Sequence, residues 1–212
     1  MKTTLLVLAA LAATAASTSA FAADTNWGAG ADDAAFKAMV QSSFREKGIA
    51  KLSRLDQDAT QAFCSDPKHA DDKDSARLRE KIEAENTAAI KWPADGKYLG
   101  DWKEGEKIAQ SGRGLTSTDK ADQVNGGNCY NCHQISPKEI SYGTIGPSLT
   151  AYGKTHKQDE ATLKQTWARI YNSKATNACS NMPRGGHMGI ISEQQIRDIM
   201  ALLLDPQSPV NQ

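Results

Sequence analysis

Five consecutive residues, Cys129-Tyr130-Asn131-Cys132-His133, constrain this chain more than anything else in it. In a C-x-x-C-H run two thiols three residues apart can each add across a vinyl group of one porphyrin. The next residue then supplies an imidazole to the iron. A chain built this way folds around a flat macrocycle, which takes the place of part of the apolar core. Two other uses of C-x-x-C compete. Zinc needs four ligands, usually from a second close Cys/His pair, but Cys64 and Cys179 are remote and neither begins a pair. A thioredoxin-like motif lies between strand and helix and gives the following histidine no role. One covalent haem c, held by Cys129 and Cys132, is the expected cofactor, with His133 as a ligand of its iron.

The N-terminus reads as an export signal. Lys2 gives the basic start, Leu5 to Ala16 the apolar and small-residue stretch, and Ala20-Phe21-Ala22 an A-x-A cleavage site. The apolar stretch is too short to span a bilayer, so the product is expected in a periplasm with no membrane anchor. Removing residues 1–22 takes Lys2 from a chain of 25 basic and 25 acidic residues. That near-neutral balance argues against nucleic acid as a partner.

Residues 23–31 read as a lead-in. From Asp32, with Asp32 or Asp33 as cap, the spacing of Phe36, Met39, Val40 and Phe44 predicts a helix ending at Lys47-Gly48. A second helix is expected from about Ser75 to Ile90, with Leu78 and Ile82 on one face, broken by Trp92 to Gly96. With few large apolar residues, 23–91 is expected to be a helical extension rather than a domain of its own. The haem domain is expected over 92–212. It should hold a short helix from Asp101 to Gln110, a Gly-rich loop over 112–127, an irregular stretch from Ser136 to Tyr152, and a helix from Glu160 to Tyr171. A turn-rich loop from Asn172 to Gly189 leads to a last helix opened by a Ser192/Gln195 capping box. That helix should bury Ile196, Ile199, Met200 and Leu203. Met39 and Met200 are expected in the core, as are Trp102, Tyr142 and Trp167 ahead of any pocket role.

A second iron ligand would make the haem an electron carrier; an open position would mean catalysis or ligand binding. Met182, in Asn181-Met182-Pro183, is the first candidate, because a thioether raises the potential and the proline stiffens its loop. Met188 competes, with His187 beside it, and so does an open site. Gly146-Pro147-Ser148-Leu149 supplies the other pocket signal. A metal-bound histidine usually donates its second ring N–H to such a carbonyl, so Pro147 C=O is expected behind His133 and Leu149 on the ring. Cys64 and Cys179 are an even pair in an oxidising compartment, and a disulfide between them is expected, the alternative being two free thiols. His69 and His156 are expected to be solvated.

Further residues carry a resemblance. Pro93-Ala94-Asp95-Gly96-Lys97, Gly100-Asp101-Trp102-Lys103, Gly105 to Ala109, Gly112-Arg113-Gly114, Gly126 to His133, Gly143 to Leu149, Tyr152-Gly153 and Asn181 to Arg184 together resemble the SoxX family. Its members are the monohaem cytochrome c subunits of SoxAX thiosulfate-oxidising complexes. The match covers about 92–205 and leaves 23–91 unexplained. It implies an all-α class I cytochrome c fold around one covalent haem, with His133 and Met182 as axial ligands. It also implies a SoxA-type cytochrome partner with one or two haems, a SoxYZ-type carrier reached through the complex, and a downstream cytochrome as electron acceptor. The implied activity is that of an L-cysteine S-thiosulfotransferase whose catalytic cysteine belongs to the partner. A free-standing electron shuttle is the alternative. The extension is expected to brace the Met182 loop or to enlarge the partner interface.

Overall fold

The computed structural model describes residues 34–69 and 73–212. The expected signal at 1–22, the lead-in at 23–31 and the Asp32/Asp33 cap lie outside them. The regular elements are all helical: α1 (Ala34–Ser43), α2 (Ala59–Ser65), α3 (Lys73–Ala88), α4 (Trp102–Gln110), α5 (Tyr152–Thr155), α6 (Glu160–Tyr171) and α7 (Glu193–Leu204). Among the described residues there is no strand, and no helix is long and apolar enough to cross a membrane.

The core forms where α4 crosses α7. Ser192 and Gln195 make the expected capping box, and beyond it Ile196, Met200, Leu202 and Leu204 are fully buried. The crossing is close because Gly105 has no side chain: a Cβ there would lie 2.1 Å from the Asp198 carbonyl. Asp198 is itself buried, and its carboxylate accepts the Asp101 N–H at 2.9 Å. Asp101 in turn caps α4, so the end of one helix is organised by the middle of the other. Helix α6 has the expected bounds, with Asp159 capping its start. Its Trp167 has no exposure and donates from Nε1 to Lys91 C=O at 3.0 Å.

Several expectations are corrected. Helix α1 stops at Ser43 rather than at Lys47-Gly48. Gly48, at φ +54, serves a tight turn in which Lys47 and Ala50 exchange backbone hydrogen bonds, so it is not a helix cap. Met39 is 43% exposed and not in the core. Helix α3 leaves Leu78 exposed and buries Ser75 and Asn86, because it docks through polar contacts: Asn172 Nδ2 donates to Asn86 Oδ1 at 2.9 Å. Tyr142 is exposed at 42%. His69 stacks on Phe63, with ring centroids 4.5 Å apart, and its Nδ1 meets Ser75 Oγ at 3.2 Å. His156 stacks on Tyr152 at 4.0 Å. His69 is thus partly buried where its polar neighbours suggested solvent, whereas His156 is exposed as expected. Tyr152, expected in an irregular stretch, opens the short helix α5.

Candidate haem site

Cys129–Asn131 form a single 3-10 turn, entered through Asn128 in the left-handed region. The N–H groups of Cys132 and His133 both donate to the Cys129 carbonyl, at 3.1 and 2.9 Å. The motif is thereby wound into one compact turn from which both thiols and the imidazole emerge. Tyr130 enters the core at 6% exposure and holds the turn against α4 through Glu106.

Cys129 and Cys132 are free, with no disulfide between them. Burial pushes the Cys129 thiol up to about 11, which keeps it protonated and a poor partner for thiol exchange. Among the described residues no group of three His, Cys, Asp or Glu side chains could hold a metal ion. The pair therefore lacks the further ligands of a zinc site.

His133 is fixed from behind. Its Nδ1 lies 2.7 Å from the Pro147 carbonyl oxygen, and a carbonyl only accepts, so Nδ1 carries the proton and the lone pair falls to Nε2. Residues 143–149 are laced along the motif to bring Pro147 there. Gly143 N–H donates to Tyr130 C=O at 2.8 Å, Gly146 N–H to Cys132 C=O at 2.8 Å, and Leu149 N–H to Gln134 C=O at 2.7 Å. The approach needs glycine at 146, since a Cβ would stand 2.2 Å from His133 Cε1 and 2.5 Å from Nδ1. Leu149 is partly buried against the core cluster.

Met182 is likewise partly buried against the core cluster. Its competitors are not: Met188 is 58% exposed, and His187 is exposed too. Partial desolvation of its ring and the Arg184 charge, against the opposing Asp58 charge, still hold the His187 imidazole below its usual range. The Met182 backbone is pinned on both sides. Its carbonyl accepts from the buried Ser173 Oγ at 2.6 Å, and its N–H donates to Ser180 Oγ at 3.2 Å. Cys64 and Cys179 are disulfide-bonded, with Cα atoms 5.4 Å apart.

The extension lies against this loop. Glu83 of α3 accepts the Ala178 N–H at 3.0 Å, and Thr87 Oγ1 donates to Ala175 C=O at 3.3 Å. Asp58, just before α2, takes a charged hydrogen bond from Arg184. Burial raises the Asp58 carboxyl, but the Gln61 N–H and the charges of Arg184 and Lys174 outweigh it and hold the group below its usual range. Sequence reading missed Ser173, Asp58 and Arg184 as supports of the loop, although Asp58 and Gln61 do spell a capping box.

The donor set suits a covalent haem: free thiols at the attachment spacing, an imidazole with its tautomer set by a carbonyl, and a partly buried thioether. A family model described as Cytochrome c matches residues 119–205. An uncharacterized lipoprotein of Aquifex aeolicus (strain VF5) is 37% identical over 158 residues, which cover 73% of this chain and 73% of that protein. The helical architecture is that of a class I cytochrome c fold, and the family binds haem c covalently. By its motif, its fold and this match, the chain carries a cytochrome c domain over residues 119–205.

Proposed function

We propose that this chain is the electron-transfer subunit of an exported SoxAX-type complex. In this reading Cys129 and Cys132 hold the haem by thioether bonds, and His133 and Met182 are its axial ligands. Bound haem would supply a one-electron couple, and with His133 and Met182 both ligating the iron its chemistry would be electron transfer. The carrying observation is the His133 Nδ1 to Pro147 contact at 2.7 Å. It commits one ring nitrogen to the protein and leaves the other for the iron, while Pro147 belongs to the Gly143–Leu149 run that resembles SoxX.

The chemistry assigned to the complex is oxidative coupling. The terminal sulfur of thiosulfate and a carrier cysteine thiolate form a sulfur–sulfur bond at the partner's site, as in an L-cysteine S-thiosulfotransferase. Two electrons are released, and this chain passes them singly to another cytochrome. Its four cysteines are committed elsewhere: Cys64 and Cys179 to a disulfide, Cys129 and Cys132 to the cofactor. Location in the periplasm is part of the proposal, and the lipoprotein name of the Aquifex aeolicus relative supports export.

Association decides between this role and that of a free-standing shuttle. Mixed with a SoxA-type cytochrome, the haem-loaded chain should elute as a heterodimer and accept electrons during thiosulfate coupling to the carrier. A chain that stays monomeric in that mixture would rule the subunit role out. The axial pair is tested separately. Met182→Ala should abolish the weak sulfur-to-iron absorption band in the red and let carbon monoxide bind the reduced protein; a surviving band would exclude Met182.

A further inference from the structure

One short helix of the extension grips the Met182 segment on both flanks. At its start, Asp58 Oδ1 accepts the Gln61 N–H at 2.7 Å, closing the capping box of α2, while Oδ2 accepts from Arg184. Near its end, Cys64 is bonded to Cys179. Cys179 precedes Met182 and Arg184 follows it. A helix of this length spans about 10 Å at 1.5 Å per residue and is stiff over that distance. A loop tied to a stiff rod at two points cannot swing outward without breaking one of the ties. Arg184 is 11% exposed at its side chain and Asp58 38%, so the ion pair is partly shielded from solvent.

We infer that α2 is a splint across the axial loop: Asp58 through Arg184, and Cys64 through Cys179, are positioning residues that set how often the Met182 thioether leaves the iron. The inference rests on the axial reading of Met182. It gives the extension a role that neither the haem motif nor the cytochrome c domain requires. Cutting either tie raises the fraction of molecules with an open sixth position. The apparent affinity for a small ligand that competes with Met182 rises in proportion to that fraction.

The test is an imidazole titration of the oxidised, haem-loaded full chain. Four proteins are compared: the parent, Asp58→Asn, the Cys64→Ser/Cys179→Ser double variant, and Gln61→Ala as control. Asparagine is as good an N-cap as aspartate, so Asp58→Asn keeps α2 and removes the charge that faces Arg184 and Lys174. Gln61→Ala weakens the capping box and leaves the Arg184 contact in place. Imidazole should bind about tenfold more tightly to Asp58→Asn and to the double variant, as a tenfold larger open fraction requires. The control should match the parent.

Equal affinity in the parent and Asp58→Asn overturns the splint, and so does an equal gain in Gln61→Ala, which would mean general loosening. Should the double variant fail to fold, the Asp58→Asn comparison decides alone. The Met182→Ala variant separates the two levels. If it keeps the red band, the axial reading fails; if it loses the band while Asp58→Asn binds imidazole like the parent, only the splint fails.

Discussion

Tyr130 donates its hydroxyl to both carboxylate oxygens of Glu106, at 3.0 and 3.2 Å. The contact joins the haem-binding turn to α4. Burial raises the Glu106 carboxyl above its usual range, against opposing hydrogen bonds from Tyr130 and Gln110. A carboxyl raised on folding binds its proton more tightly in the native state than in the unfolded one. Its contribution to stability is present below the ordinary value of 4.5 and is lost as pH rises through the folded value. Glu106→Gln, which can still accept from Tyr130, should therefore gain on the parent in thermal midpoint between pH 4 and neutrality and then hold a constant lead. A difference independent of pH would show that Glu106 ionises in the folded protein as it does in the unfolded one. Tyr130→Phe should cost about 1 kcal/mol in denaturant melts at neutral pH, where the carboxylate keeps Gln110 but loses its other side-chain donor.

Gly146→Ala should damage the proximal side. The added methyl would overlap the His133 ring, and either the imidazole turns or the Pro147 segment lifts off it. Overpacking of this kind costs about 1–3 kcal/mol, measurable by denaturant titration of the haem-loaded protein. A shifted reduction potential should accompany the loss, since the hydrogen bond to Nδ1 tunes the ligand. Normal stability and potential together would mean that the ring is not held against residue 146.

Asp198→Ala should destabilise the crossing of α4 and α7. It removes the acceptor of the Asp101 N–H and of Gln194 Nε2, each at 2.9 Å, in a position only 6% exposed. Leaving a buried donor unpaired costs about 1–3 kcal/mol. Urea melts should show a lower midpoint with an unchanged slope, and Asp198→Asn should recover part of the loss.

Thiol titration of the denatured, unreduced protein gives a count that depends on the cofactor. The haem-loaded chain should show no reactive thiol, because Cys64 and Cys179 are bonded to each other and Cys129 and Cys132 are spent on the porphyrin. The apoprotein should show two, those of Cys129 and Cys132. Four thiols in the apoprotein would exclude the Cys64–Cys179 bond.

What was legible in the sequence was whatever local chemistry dictates. The Ser192/Gln195 box, the bounds of α6 and the Pro147 contact behind His133 all depend on residues near one another in the chain or on a group with one chemical use. The errors came where burial depends on distant partners. Gly48 could have capped a helix or turned a loop, and only the Lys47–Ala50 bonds distinguish the two. Met39 and Leu78 occupy helical apolar positions yet are exposed, because α1 buries no residue and α3 docks through Asn86 and Ser75. The support of Met182 by Ser173 and of Arg184 by Asp58 has no short-range signature. Each is an ordinary polar residue until the fold brings its partner to it.

The His133 to Pro147 contact closes over 14 residues, whereas the Arg184 to Asp58 contact closes over 126. Local contacts form early on folding and distant ones late, because chain closure must come first. The attachment turn and its carbonyl support can therefore assemble as a contiguous unit while the extension is still undocked. The ties between the extension and the Met182 loop would then be made last, onto a turn carrying Cys129, Cys132 and His133 that is already in place.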